Sequence, residues 1–130
     1  MKDVENFIRQ CGVYYLATVD GKVPRVRPFG TLAEFEGKLY VLTGKSKDVS
    51  KQIEKNHNVE ICASYGETWM RISGKLIRDD RVSAKKNMLD KNPHLRPFYD
   101  EHDDNTEVLY LKDATAVIQS FDREPVVIKL

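Results

Sequence analysis

Three times in the first eighty residues a short β-forming run meets a turn signal and is followed by a second such run, and this repetition limits the possible folds most. Val13-Tyr14-Tyr15-Leu16-Ala17-Thr18-Val19 is rich in β-branched and aromatic residues. It ends at Asp20-Gly21, a dipeptide that accepts the positive φ angles of a two-residue type I′ hairpin. The returning run, Lys22 to Phe29, has Val23, Arg25, Arg27 and Phe29 on one face and Val26 on the other. Pro24 and Pro28 cannot donate to a ladder, so this run belongs at an irregular or edge position. Leu32 to Glu36 and Lys38 to Thr43 make a second hairpin about Glu36-Gly37. Val59 to Tyr65 and Thr68 to Arg78 make a third, turning near Gly66. Val108 to Leu111, Ala114 to Phe121 and Pro125 to Leu130 are expected as closing strands.

Helical spacing occurs in three places. Val4, Phe7, Ile8 and Cys11 repeat at i, i+3, i+4 and i+7, and Gly12 is placed to end that helix. Val49, Gln52, Ile53 and Asn56 share a face within Lys45 to Asn56. Val82, Met88 and Leu89 mark a polar helix between Asp79 and His102, and Pro93 and Pro97 interrupt the remainder of that segment. Many short antiparallel strands with few helices predict a mainly β, α+β chain of barrel or sandwich type. At 130 residues, with no repeat, linker or low-complexity tract, a single domain over residues 1–130 is expected.

Charge and composition exclude several function classes. Lys plus Arg is 21 and Asp plus Glu is 20, so no basic excess exists for a nucleic-acid backbone to attract. No apolar run approaches a membrane span, so no membrane partner is expected. Lys2, Asp3, Glu5 and Arg9 argue against a secretory signal. Cys11 and Cys62 stand far apart without metal or redox spacing, and are expected to be small buried hydrophobes of a cytoplasmic protein. The spacing of His57, His94 and His102 brings no three ligands onto one face, so no metal site is expected. No nucleophilic triad or reactive-cysteine context stands out either.

With charge balanced overall, any anion site must be local, and Leu39 to Val49 is where one can form. A strand ends at Thr43, Gly44 permits a sharp turn, and a helix starts near Ser46. The first amides of a helix lack intrahelical partners and suit a phosphate. Thr43 and Ser46 offer hydroxyls, Lys45 and Lys47 offer charge, and Arg25 and Arg27 share a face of a nearby strand. The plainer reading of the same residues is a serine-capped surface helix with solvated lysines. This is no P-loop, because Gly44-Lys45-Ser46 lacks the leading glycine and its spacing.

Across most of its length the sequence resembles the short pyridoxamine 5′-phosphate oxidase-like family of flavin mononucleotide (FMN)-binding split barrels. The resemblance runs through an opening helix, Tyr15-Leu16-Ala17-Thr18, and Gly21-x-x-Pro24-x-x-Arg27-Pro28-Phe29. It continues through Leu39-Tyr40, Thr43, Lys47, Gln52-Ile53, Val59-Glu60-Ile61 and Trp69-x-Arg71-Ile72-x-Gly74. It implies an antiparallel split β-barrel that binds FMN between the two subunits of a homodimer. Lys47, Ser46 and Arg27, with Arg25 beside them, would hold the phosphate. Thr43 would meet the ribityl chain or the ring edge, and the backbone of Pro28 and Phe29 would flank the ring. Trp69 matches a position bordering the flavin, or serves as a core or dimer-interface aromatic. Arg71, on the same face, would meet the cofactor or stand as a surface arginine. The implied activity is electron transfer from a reduced nicotinamide, through the flavin, to a small-molecule substrate. The alternative is a flavin- or haem-binding module without turnover. Gly30-Thr31-Leu32 stands where the authentic oxidase carries a lysine, and the chain stops at Val127-Ile128-Lys129-Leu130 before that enzyme's C-terminal substrate segment. Vitamin B6 oxidation is therefore not expected.

Overall fold

The computed structural model describes residues 1–130. Helix α1 (Lys2–Cys11) precedes the hairpin β1 (Tyr14–Asp20)–β2 (Val23–Phe29), and β3 (Leu32–Phe35) pairs with β4 (Lys38–Gly44). Helix α2 (Asp48–Lys55) leads into the hairpin β5 (Asn58–Tyr65)–β6 (Thr68–Asp79). Helix α3 (Val82–Lys91) and a 3-10 turn (Pro93–Leu95) precede β7 (Thr106–Ser120) and β8 (Arg123–Lys129). All eight strands join one antiparallel sheet ordered β2-β1-β5-β6-β7-β4-β3, with β8 also on β7. The terminal strands β2 and β3 do not pair with each other, so the sheet curls without closing. This is the expected split architecture.

Period-two alternation sends one residue in two to the interior. Leu16, Ile61, Ile72 and Ala116 lie in one cross-strand row and are essentially inaccessible to water. Val4 and Ile8 of α1 and Val49 and Ile53 of α2 seal the same core. At about 25 cal/mol per Å² of apolar surface, each such side chain stabilises the fold by roughly 1.5–3 kcal/mol. A smaller core of Ala33, Tyr40, Leu42, Ala84, Met88 and Val108 fixes α3 against β3, β4 and β7. As the two prolines required, β2 is an edge strand.

Two expectations change. The runs Val108–Leu111 and Ala114–Phe121 are one long strand, because Lys112-Asp113 bends the chain without ending the β6 ladder. Asp113 takes φ 50°, and opposite it the register shifts between Ser73 and Lys75. A β-carbon on Gly74 would lie 2.8 Å from Ala114 Cβ, so the bulge needs glycine. Beyond this bend β7 exchanges β4 for β8 as its second neighbour. The cysteines are half-buried, not fully buried, because Cys11 sits at the last turn of α1 and Cys62 alternates to the outer face of β5, beside Tyr15 and Arg71.

Candidate functional site

The fold brings the N-terminal end of α2 against the inner face of β2. Arg27, opposite Leu16 in the ladder, points to that face and is half-buried beneath α2. Its Nη1 donates to the Leu16 carbonyl at 3.1 Å and to Thr18 Oγ1 at 2.8 Å, and its Nη2 donates to Gln52 Oε1 at 2.8 Å. The Thr18 hydroxyl donates to the same Gln52 oxygen at 2.6 Å. Every one of these acceptors is neutral. A guanidinium has five N–H donors, so two remain for a ligand, and no carboxylate neutralises the charge. Burial lowers the Arg27 pKa, the Arg25 charge adds to this, and Asp48 opposes it. A half-buried guanidinium whose charge has no direct counter-ion is the element here that most favours an anion.

Lys47 faces Arg27 across a trough of about 880 Å³ between β2 and α2, which Arg25, Lys51 and Lys55 also line. Lys47 is the N-cap of α2, in extended conformation, and makes no ion pair; its Nζ lies 3.5 Å from the Tyr99 hydroxyl. Arg25 is bonded to Asp20 at 3.2 Å, and both side chains are about half exposed, so that pair is weak and exchangeable. Arg27 and Lys47 also border a second compartment of about 380 Å³, more apolar, with Pro28, Phe29 and Thr43 in its wall. His94, Leu95 and Tyr99 from the segment after α3 cover it. The two compartments therefore form one groove, cationic at one end and apolar at the other.

The turn itself differs from expectation. Helix α2 begins at Asp48, two residues beyond Ser46, and no side chain caps it. The Ser46 amide donates to Asn105 Oδ1 at 3.1 Å, the Lys45 amide to the Asn105 carbonyl at 2.8 Å, and the Lys47 amide to the Gly44 carbonyl at 3.0 Å. Three amides of the turn are thus engaged within the chain and closed to a phosphate. Side-chain cations must carry more of any anion binding. Gly44 serves close approach and not a positive φ, since a β-carbon there would lie 2.9 Å from Asn105 Nδ2. Lys45 is drawn out of the trough to Asp80, at 3.4 Å. Glu107, 1% exposed, anchors the helix from behind: Ser50 Oγ donates to it at 2.7 Å, and Arg78 pairs with its other oxygen.

Of the residues singled out in the sequence, Arg25, Arg27 and Lys47 meet in the trough, and Pro28, Phe29 and Thr43 meet in the adjoining compartment. Ser46 is exposed beside them and lines neither. Trp69 and Arg71 do not join the groove. They alternate to the outer face of β6, away from the core side that Arg27 occupies. Trp69 packs on Phe121 with ring centroids 5.1 Å apart, and its buried Nε1 has no acceptor. Arg71 is exposed, 3.4 Å from Gln119 Oε1. Thr18, Gln52, Asn105 and Glu107 escaped the sequence reading as site-builders. Thr18, in the Tyr15-Leu16-Ala17-Thr18 element, and Gln52, in the Gln52-Ile53 element, carried a signal; Asn105 acts on a turn 59 residues away.

The sequence profile of the pyridoxamine 5′-phosphate oxidase family matches residues 1–91. The chain belongs to this family. A NimC/NimA family protein from Clostridium acetobutylicum is 39% identical, with a TM-score of 0.96, and the match covers 100% of this chain and 92% of that one. A pyridoxamine 5′-phosphate oxidase-related, FMN-binding protein from Nostoc punctiforme shares the fold at 15% identity and a TM-score of 0.65, over 99% and 95% of the two chains. A haem-binding protein from Mycobacterium smegmatis shares it at 13% identity and a TM-score of 0.73, over 95% of this chain and 55% of that one. No curated protein matches the sequence. No helix is long and apolar enough to cross a membrane.

Proposed function

We propose that this chain binds FMN as a homodimer and passes electrons from a reduced nicotinamide to a small substrate. The observation that carries the reading is Arg27, whose guanidinium is held only by neutral acceptors and keeps two donors free beside the unpaired Lys47. The phosphate takes these two cations, and the ring takes the more apolar compartment walled by Pro28, Phe29 and Thr43. The flavin supplies the redox chemistry, and the protein's task is to bind, orient and exclude water.

Support for the dimer comes from the outer face of the sheet. Tyr15 is 50% exposed and Val127 61% exposed, and they flank the row through Cys62, Arg71 and Val117. A second copy on this face would cover the exposed apolar side chains Tyr15 and Val127 at the two ends of this row. Ser46, at the margin of the trough, would meet the phosphate only through its hydroxyl. Both cysteines are free thiols, which supports a cytoplasmic setting.

A competing reading is a haem-binding module without turnover. It is favoured by His94, the one imidazole of the groove, in the wall of its more apolar compartment, because imidazole is a common haem-iron ligand. The absorption spectrum of the protein as purified separates the two. A flavin spectrum that bleaches anaerobically with reduced nicotinamide supports the first reading. A Soret band supports the second, and a colourless protein whose melting temperature ignores added FMN sinks both.

A further inference from the structure

The cationic end of the groove depends on a lysine side chain that little else holds in place. Lys47 makes no ion pair, and its ammonium has one hydrogen-bond partner, the Tyr99 hydroxyl at 3.5 Å. Its direction is therefore set by its backbone, an N-cap with φ −80° and ψ 150°. The Lys47 amide donates to the Gly44 carbonyl at 3.0 Å, and the Lys47 carbonyl accepts the Ser50 amide at 3.1 Å. The amides of the two residues between, Lys45 and Ser46, both donate to Asn105. One reaches its backbone carbonyl at 2.8 Å and the other its Oδ1 at 3.1 Å. Asn105 is fixed in its turn. Its own amide donates at 3.0 Å to Asp103 Oδ1, an oxygen that also accepts the Thr106 amide at 2.6 Å. The Thr106 hydroxyl accepts the Asp100 amide at 3.1 Å, and Thr106 pairs with Gly44 in the β4–β7 ladder. Asp100 and Asp103 thus brace the Lys47 turn through Asn105. Asn105 itself lines neither compartment of the groove.

We propose that Asn105 is a positioning residue of the FMN phosphate site: it locks the turn over residues 44–47 so that Lys47 faces Arg27, and it acts only through Lys47. The inference rests on the flavin reading above. A charge-assisted bond to a phosphate depends on the donor being held in place before the ligand arrives. Without Asn105 the ligand must order the turn as it binds, and the affinity falls by that cost. The long lysine stem adapts in part, so the loss is about tenfold, the lower end for one charge-assisted bond.

Titration of FMN and of riboflavin, followed by flavin fluorescence, is made on the wild type, N105A, K47M and N105A/K47M, each with a thermal melt. N105A should bind FMN about tenfold more weakly and riboflavin within about threefold. In the K47M background the same substitution should change FMN affinity by less than about twofold, because the group it positions is gone. Asn105 is exposed, so N105A should keep a cooperative melt. Should alanine unfold the protein, N105S, whose shorter hydroxyl falls short of the Ser46 amide, takes its place in the same cycle. An N105A protein that binds FMN as tightly as the wild type, or more tightly, refutes the positioning role. So does a tenfold loss that persists in K47M, since Asn105 would then act by another route. If FMN does not bind the wild type, the flavin reading falls and takes the positioning role with it.

Discussion

Replacing Arg27 by glutamine tests the site where its physics is most specific. The side chain makes three hydrogen bonds, to Leu16, Thr18 and Gln52, and leaves two N–H donors without a partner in the chain. Charge-assisted hydrogen bonds contribute about 1.5–3 kcal/mol each, so two to a phosphate are worth about 3–6 kcal/mol. At 1.4 kcal/mol per factor of ten, R27Q should weaken FMN by about 10² to 10⁴. Lys47 remains, which places the expectation at the lower end of that range. Riboflavin, which has the ring and ribityl chain but no phosphate, should lose less than about threefold, because the lost bonds reach only the phosphate. The fold should survive, since Thr18 and Gln52 stay bonded to each other at 2.6 Å and the orphaned Leu16 carbonyl costs about 1–2 kcal/mol. Quenching of flavin fluorescence, titrated for both ligands and paired with a thermal melt, reads all three quantities. A folded R27Q protein that binds FMN as tightly as the wild type, or loses riboflavin in equal measure, would show the phosphate assignment to be wrong.

Two further predictions concern the frame that holds the site. Asp79 is held down to about 2 by the Arg81 guanidinium first and the Tyr40 hydroxyl second, against the opposing effect of its burial. Its folded pKa lies below its unfolded value of about 3.9, so its stabilisation is complete above that value and is lost as pH falls toward 2. Urea melts should therefore show D79N less stable than the wild type by about 1–2 kcal/mol at pH 6, with the gap closing between pH 4 and 2; a gap independent of pH would refute the pairing. At the bulge, G74A forces a β-carbon to within 2.8 Å of Ala114 Cβ and 3.0 Å of its backbone. Overpacking of this kind costs about 1–3 kcal/mol, read as a lower denaturation midpoint at unchanged slope. An unchanged midpoint would mean that the β6–β7 bend tolerates a side chain.

The local order of the chain is legible in its residues, because alternation and helical spacing are properties of neighbours. Asp20-Gly21, Pro24 and Pro28 define the first hairpin and its edge strand before any tertiary contact is known, and Val4, Ile8, Val49 and Ile53 mark the faces that α1 and α2 bury. The shared face of Arg25 and Arg27, and the strand-to-helix change at Gly44 to Lys47, are readable for the same reason. Tertiary structure decided what those groups meet. Asn105 reaches a turn 59 residues earlier and removes the Ser46 amide from service. Asp80 diverts Lys45, and Glu107 braces α2 from inside the sheet. Trp69 and Arg71 look like partners of Arg27 along the chain, yet the pleat puts them on the opposite face of the sheet. Pairing across the sheet is set by contacts between distant segments and not by any one segment's composition. A sequence therefore displays which residues can bind an anion, while the curvature of the sheet decides that Arg27 and Lys47 border one groove.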